Sequence, residues 1–198
     1  MNCPAAPTVL RFTLDTSCVI HAVSEQRYAA DVEELADLCG QGRGELWLTT
    51  AFDEDQERAG GKRRAVNLRW ISERPVMGRL PQPLRADYST LDGRSILIDD
   101  RTHDACRAIE EILLPPGLRV GGLDASNSQL MDRWRKRIRD VQHLAAHFYH
   151  GHDVFVTSDD GMLKKRDELR RRTGILINNP AEAVLHIRKS MREARATK

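Results

Sequence analysis

The sequence has few of the features that mark secreted or membrane proteins. It has 198 residues with only four cysteines and no Cys-x-x-Cys pair, which argues against a disulfide framework or a cysteine zinc site. Its N-terminus lacks a basic segment followed by an apolar core, so we predict no signal peptide. No apolar run reaches the ~18 residues of a membrane span. We therefore expect a cytoplasmic protein without a membrane association.

Aromatic residues and net charge are also scarce. Aromatic residues make up 5% of the chain, which argues against base stacking as the main way of binding nucleic acid. The 31 basic and 29 acidic residues leave a net charge of +2, so overall charge indicates no class of partner. The basic residues nevertheless concentrate at 62–64, 133–139 and 164–172. The usual role of such runs is a solvated helix face.

The pattern of apolar residues predicts the fold class. Short apolar runs at 9–14, 45–49, 154–156 and 174–177 alternate with stretches of helical periodicity. This alternation predicts an α/β protein, a three-layer α/β/α arrangement with a mostly parallel central sheet. The length suits a single domain over 1–198. We interpret the Pro- and Gly-rich segment at about 73–128 as an irregular elaboration of that domain, with a short strand at 95–98 and a helix at 103–114.

Acidic residues lie where two of the predicted strands end. Asp15 follows the first apolar run, and Asp159 and Asp160 follow the run at 154–156. Asp140 lies in the helical stretch before that second run. The C-terminal edge of parallel strands is where open α/β sheets bind ligands. Because clustered carboxylates repel one another, their convergence predicts a hard cation between them.

Three segments together resemble a PIN-domain nuclease. They are the strand and Asp in LDTSCVI, the acid-bearing helix and strand in RDVQHLAAHFYHGHDVFVTSDD, and the strand and Pro-started helix in GILINNPAEAV. The resemblance covers roughly the first and last thirds of the chain and leaves the middle unmatched. It implies a PIN-like fold and acids that hold Mg²⁺ or Mn²⁺ for phosphodiester hydrolysis, usually of RNA.

The resemblance also implies site residues. Asp15 matches the first acid of the family, Asp140 the third and Asp159 the fourth, so these three are the expected catalytic and metal-binding residues. The second acid is normally a Glu early in the helix after the second strand, where this chain reads TTAFDEDQE. Asp55 takes that place by position and is included in the expected metal site, with Asp160 as a supporting residue. Asp53, Glu54 and Glu57 remain alternatives to Asp55.

Polar and basic neighbours complete the predicted site. We expect the hydroxyl groups of Ser17 and Thr157 to hydrogen-bond the carboxylates. Two basic runs flank the acids in sequence, as a protein needs in order to hold a phosphate backbone beside an anionic pocket. The residues expected to bind RNA are Arg135, Lys136, Arg139, Lys164 and Lys165.

Some of these residues also fit other interpretations. Asp15 and Asp159 could each serve only as a helix N-cap. A haloacid-dehalogenase-type phosphatase would need a second Asp two residues after Asp15, where Ser17 stands. His143 and His147 have the i, i+4 spacing of zinc ligands, but no helical Glu-x-x-His pattern accompanies them, so we expect exposed or partly packed histidines.

Two functions follow. The first is a metal-dependent endoribonuclease, either the toxin of a toxin–antitoxin pair or an RNA-processing enzyme. The second is a catalytically weakened PIN-like module that binds RNA or a protein partner, and the ambiguous second acid is its main support. RNA is the expected partner in the first case. A protein antitoxin and a homodimer remain open.

Overall fold

The computed structural model describes residues 9–58, 60–84, 95–118 and 128–196. Cys3 and the side chain of Lys136 lie outside this description. The strands are β1 (Leu10–Leu14), β2 (Gly44–Thr49), β3 (Val76–Leu80), β4 (Gln82–Pro83), β5 (Ser95–Ile96), β6 (Val154–Val156) and β7 (Ile177–Asn178).

Helices connect and cover these strands. They are α1 (Thr16–Val23), α2 (Ala29–Gly40), α3 (Thr50–Arg58), α4 (Gly61–Ser72), α5 (Asp100–Leu113), α6 (Ser128–Tyr149), α7 (Asp160–Leu163), α8 (Arg166–Thr173) and α9 (Pro180–Ala196), with a 3-10 turn at Pro116–Leu118. In the described parts of the chain, none of them is long and apolar enough to cross a bilayer.

Five of the strands form one parallel sheet in the order β3-β2-β1-β6-β7. From β1 the chain builds the sheet outward through β2 and β3, and it then returns to place β6 on the other side of β1. The order of connection therefore reverses between β1 and β6. Ligands of open α/β sheets bind at such a reversal, beyond the carboxyl ends of the strands.

Helices pack on both faces of the sheet, which confirms the three-layer α/β/α fold. Val154 and Val156 join a core with residues of α1, α2 and α9, whereas Phe155 joins a second core with residues of α5, α6 and α8. Because successive side chains of a strand point to opposite faces, an apolar run such as β6 is stable only when both faces are covered. The fully apolar sequence of β6 thus explains the two layers of helices.

The segment at about 73–128 contains more regular structure than the sequence predicts. It contributes β3, the edge strand of the main sheet, and β4 and β5, which pair in parallel as a separate two-stranded sheet. The interpretation of 73–95 as irregular was therefore wrong for Val76–Leu80 and Gln82–Pro83. An edge strand is covered less fully than a central one, so the half-exposed β3 contains Gly78 and Arg79 and lacks an apolar run. Residues 85–94 and 119–127 lie outside the described part of the chain.

Local signals locate the ends of several elements correctly. Gly151 follows α6 with a positive φ of 60°, as a C-terminal glycine should. At the start of α9, Asn179 Oδ1 accepts from the Glu182 amide and Glu182 Oε2 accepts from the Asn179 amide, both at 2.9 Å. This reciprocal capping, followed by Pro180 in the first helical position, fixes where the last helix begins.

The histidines of α6 are buried, so the expectation of exposed or partly packed side chains was wrong. His143 and His147 are each 1% exposed. The hydroxyl of Thr13, in the middle of β1, lies 2.9 Å from His147 Nδ1 and 3.0 Å from His152 Nδ1. A hydroxyl both donates and accepts, so Thr13 can satisfy the buried His147 and the half-buried His152 at once. The i, i+4 spacing reflects this packing.

Burial should make the stability of the protein fall in mild acid. Burial, with the charges of His152 and Arg11, lowers the pKa of His147 to about 3, so the folded state keeps this ring neutral. An unfolded histidine takes up a proton near pH 6.5. The unfolded state therefore binds the extra proton as the pH falls from about 6.5 towards 3, and His147 alone should reduce the free energy of unfolding by about 1.4 kcal/mol per pH unit.

Urea denaturation of wild type and His147→Gln across this pH range measures the effect. Glutamine can keep a hydrogen bond to Thr13 but does not titrate, so we expect a shallower dependence on pH in the variant. His103→Gln, at a side chain that is 63% exposed, is the matched control and should behave as wild type does. Equal slopes in wild type and His147→Gln would contradict the prediction.

Candidate active site

The predicted acids lie at the point where the strand order reverses. Asp15 follows β1 directly, and its amide donates to Val156 O at 2.8 Å, so it extends the pairing of β1 with β6. Asp159 follows β6 and precedes α7, and Asp140 lies on α6. Three carboxylates from distant segments are thus brought to the C-terminal edge of the two central strands.

Asp15 lies at the N-cap position of α1 but does not cap the helix with its side chain. Its carboxylate instead accepts from Ser17 Oγ at 2.5 Å and from Thr157 Oγ1 at 2.7 Å, both at Oδ2. The side chain is 8% exposed. The two hydroxyls are the ones predicted from the sequence to support the carboxylates, and they hold Asp15 towards its acidic neighbours.

Asp140 is the carboxylate that the cluster perturbs most. Burial and the charge of Asp15 raise its pKa to about 7, and the charge of Asp159 adds to the increase. His143 and Arg137 oppose this shift, with Arg137 Nη1 3.4 Å from Asp140 Oδ2. A carboxyl group is half-protonated at neutral pH where burial and nearby negative charges together disfavour its ionised form. The environment of Asp140 is therefore one that a cation would stabilise.

Asp159 has a structural role in addition to its place in the cluster. Its Oδ1 accepts from the Met162 amide at 2.9 Å and so caps α7. Its own amide donates to Thr157 Oγ1 at 3.1 Å. The capping alternative that the sequence left open is thus realised at Asp159 and not at Asp15, and only one of the two Asp159 carboxylate oxygens is engaged by the cap.

His143 is a site residue that sequence reasoning missed. Its Nδ1 lies 2.6 Å from Thr49 Oγ1, and its Nε2 lies 3.4 Å from Asp55 Oδ2 and 3.9 Å from Asp15 Oδ1. Burial lowers the pKa of His143, but the hydrogen bond to Asp55 and the nearby carboxylates outweigh it and raise the pKa overall. The signal in the sequence was the i, i+3 spacing from Asp140, which places both residues on one face of α6.

The structure brings Asp55, among the four acids that competed for the second position, next to the cluster. Thr16 Oγ1 donates to Asp55 Oδ2 at 2.8 Å, and Arg139 Nε lies 2.8 Å from Asp55 Oδ1. Burial raises the pKa of Asp55, but His143, Arg139 and Thr16 together lower it overall. Asp55 is therefore already compensated within the chain, by the Arg139 guanidinium and by its hydrogen bonds with Thr16 and His143.

The other three acids of α3 have partners or positions away from the cluster. Asp53 pairs with Arg79 at 3.2 Å, and Glu54 accepts from Gln82 Nε2 at 2.6 Å. Glu57 is exposed. Asp160 is exposed too, with 72% of its side chain accessible, and pairs with Arg27 at 3.8 Å. The Asp160 side chain is therefore exposed to solvent, whereas that of its neighbour Asp159 caps α7.

The residues expected to bind RNA have different surroundings. Arg139 is 15% exposed and engaged with Asp55, and Arg135 is exposed and pairs with Asp132 at 3.4 Å. Lys165 Nζ donates to Ile112 O at 2.7 Å and so binds the C-terminal end of α5, whereas Lys164 is exposed. The side chain of Lys136 lies outside the described residues. Among the four of these side chains that the structure describes, Arg139 is the least able to reach a phosphate.

No protein-family model matches the chain, and no curated protein matches it. The resemblance to PIN-domain nucleases therefore rests on the sequence motifs alone.

The donor atoms of the cluster suit a hard divalent cation. In the described parts of the chain, no group of three or more His, Cys, Asp or Glu side chains is arranged to hold a metal ion in its present geometry. The chemistry nevertheless fits, because carboxylate oxygens of Asp15, Asp140 and Asp159 are the ligands that Mg²⁺ prefers and the raised pKa of Asp140 reports uncompensated charge. Asp55 fits less well, since Arg139 and His143 already neutralise it.

The raised pKa of Asp140 predicts that removing its charge stabilises the protein. The folded state holds the Asp140 proton up to about pH 7, whereas an unfolded Asp releases it near pH 3.9. Folding stability is therefore lost as the pH rises from about 4 to 7. Asp140→Asn avoids this loss, so in EDTA the variant should be more stable than wild type at pH 8, and the difference should shrink towards pH 4.

Urea denaturation at several pH values checks the sign. Asp132→Asn, on the same helix with 77% of its side chain exposed, is the matched control and should show no comparable gain. A variant Asp140→Asn that is less stable than wild type at pH 8 would show that the carboxylate is favourably placed without a cation.

Proposed function

We propose that the protein is a Mg²⁺- or Mn²⁺-dependent hydrolase of RNA phosphodiester bonds. The observation that carries the proposal is the placement of Asp140 beside Asp15 and Asp159, at the reversal of strand order, where burial and the charges of these two acids raise the pKa of Asp140 to about 7. Such a cluster costs folding stability, so its natural explanation is a ligand of opposite charge.

Asp15, Asp140 and Asp159 would hold the ion. When bound, a divalent metal of this kind lowers the pKa of a coordinated water and stabilises negative charge on a phosphoryl oxygen. The chain contributes the orientation of the donors. Ser17 and Thr157 direct Oδ2 of Asp15, and the cap on α7 fixes Asp159.

Cations of the chain limit the repulsion around the site. Arg137, 3.4 Å from Asp140, lies at the edge of the cluster with 43% of its side chain exposed, so it can reach both the carboxylate and a phosphate. His143 lies between Asp15 and Asp55 and compensates both. Its deep burial makes it a positioning residue that acts on the carboxylates and has no access to RNA.

A second candidate is a PIN-like module that binds RNA or a protein partner without cleaving. It is favoured by Asp55, because this acid is occupied by Arg139 and His143. A site with one of its acids neutralised in this way would hold a cation with fewer charged ligands.

The toxin of a toxin–antitoxin pair and an RNA-processing enzyme are the two settings we propose for the hydrolase.

Cleavage of single-stranded RNA separates the two candidates. The purified protein should cut RNA in Mg²⁺ or Mn²⁺, and EDTA should stop the reaction. Asp140→Asn and Asp159→Asn should each lower the rate at least about 100-fold, equivalent to about 2.7 kcal/mol of barrier. Asn caps helices as well as Asp does, so α7 should remain intact in Asp159→Asn.

Asp160→Asn is the matched control for Asp159→Asn, because its exposed side chain lies outside the cluster and its loss should have a small effect. Among changes at Asp53, Glu54 and Asp55, that at Asp55 should lower the rate most. If wild type binds RNA or a protein but cuts no RNA in either metal, the binding module is the correct function.

Thermal unfolding tests for the ion independently of cleavage. An ion that binds only the folded state stabilises it by about 2.7 kcal/mol when its concentration is 100 times Kd. Titration with Mn²⁺ or Mg²⁺ should therefore raise Tm, and Asp15→Asn should remove most of the increase while Asp160→Asn retains it. An equal increase in wild type and Asp15→Asn would place the ion elsewhere.

A further inference from the structure

A groove beside the acid cluster has no assigned role. We call it the α5–α6 groove, since it runs between the C-terminal end of α5 with its following turn and the first half of α6. It encloses about 790 Å³, within the roughly 300–1,000 Å³ of sites that hold small organic ligands. Its walls are formed by Ile112, Leu114, Pro116, Leu118, Leu130, Arg133, Arg137 and Lys165, among others.

The rim of the groove is cationic. Arg133 is exposed, Arg137 is 43% exposed, and the Lys165 ammonium lies at the end of α5. Among the described residues, no carboxylate pairs with Arg133, and the partner of Arg137 is Asp140 of the acid cluster. The acid in the wall, Glu111, is paired with Arg172. The groove therefore carries three cationic side chains, of which Arg137 is paired with Asp140 and Lys165 donates to the end of α5, and its acid Glu111 is paired as well.

The floor of the groove is aliphatic. Its accessible apolar surface comes from exposed Pro115 and Pro116 and half-buried Leu130, whereas Leu114 and Leu118 lie beneath it at 1% and 6% exposed. Pro115 and Pro116 stiffen the turn that forms one wall. A floor of this kind can cover the faces of unpaired bases but offers nothing to a duplex, whose bases are stacked inside. The combination of cationic rim and apolar floor thus matches a single nucleic-acid strand.

Arg137 connects the groove to the acid cluster. Its guanidinium lines the groove and lies 3.4 Å from Asp140 Oδ2. It also lies close to the turn that carries Asp159, since a side-chain carbon on Gly161 would be 3.8 Å from Arg137 Nη1. A strand that lies in the groove therefore passes directly to the carboxylates, with one arginine shared between the two places.

We propose that the α5–α6 groove binds the single-stranded stretch of RNA that adjoins the bond to be cut, with its phosphates on Arg133, Arg137 and Lys165 and its bases on the aliphatic floor. This assignment rests on the proposed function for its substrate class. It moves the main RNA contact from Arg135 to Arg133 and Arg137. An acidic peptide would satisfy the rim as well, but its Asp and Glu side chains end in charged carboxylates and carry no flat base-like face to lie on the apolar floor.

RNA binding without metal tests the groove separately from catalysis. The assay is fluorescence anisotropy of a labelled single-stranded oligoribonucleotide of mixed sequence in EDTA, at several salt concentrations. Each phosphate contact of a single strand contributes about 0.7 to the slope of log K against log salt. Arg133→Gln should therefore reduce the slope by about 0.7, which corresponds to about fivefold weaker binding at 0.1 M salt.

Arg135→Gln is the matched control. It removes the same charge from the same helix, but Arg135 does not line the groove and pairs with Asp132, so its effect on Kd and slope should be clearly smaller. Both side chains are exposed, and equal Tm values will show that neither change disturbs the fold. Equal effects of the two substitutions on RNA binding overturn the proposal.

Three further ligands test the floor and the class of partner. The same strand annealed to its complement and an abasic strand with the same number of phosphates should both bind more weakly than the single strand. Equally tight binding of either one overturns the assignment of the floor to bases, and displacement of the RNA by poly-glutamate at equal charge concentration overturns RNA as the occupant. Failure to cleave RNA with groove binding intact would overturn only the hydrolase.

Discussion

The main physical constraint on this structure is that three carboxylates lie close together where the C-terminal ends of β1 and β6 meet. Burial, together with repulsion from Asp15 and Asp159, raises the pKa of Asp140 to about 7. The Asp15 amide and its two hydroxyl donors tie the first acid to β6, and the cap on α7 fixes the last one. These polar contacts lie at the ends of strands whose apolar runs are buried on both faces of the sheet. The packed core therefore keeps the three carboxylates close together although their charges repel one another.

The chain compensates its acids unequally, and this difference shapes the site. Asp55 has Arg139, His143 and Thr16 around it, and its pKa is lowered overall in spite of burial. Asp140 has Arg137 at the longer distance of 3.4 Å, and its pKa is raised. A cation that enters from solvent therefore gains most at the Asp140 side of the cluster. The neutralised Asp55 serves better to orient His143 than to bind the ion.

The fold class and the meeting of Asp15 with Asp159 could be predicted, because an apolar run such as β6 requires cover on both faces and parallel strands end at one edge. The edge strand β3 could not be predicted, because a strand that is only half covered need not contain an apolar run. His143 and the compensation of Asp55 were beyond the sequence for another reason. Each depends on α6 and α3 lying side by side, and the 3.4 Å contact between these two residues joins positions 88 apart.

The charges on α6 differ between its first half and the turn that follows, and this difference would affect how a bound RNA strand interacts with the helix. Arg133 and Arg137 line a cationic groove, and one turn later Asp140 and His143 belong to a largely anionic cluster. A polyanion is attracted to the first part and repelled by the second unless a divalent ion is present. Arg137 contacts both parts, so in the proposed hydrolase it would set the boundary at which attraction to the RNA backbone gives way to dependence on metal. A single helix would then combine binding that needs no ion with chemistry that does.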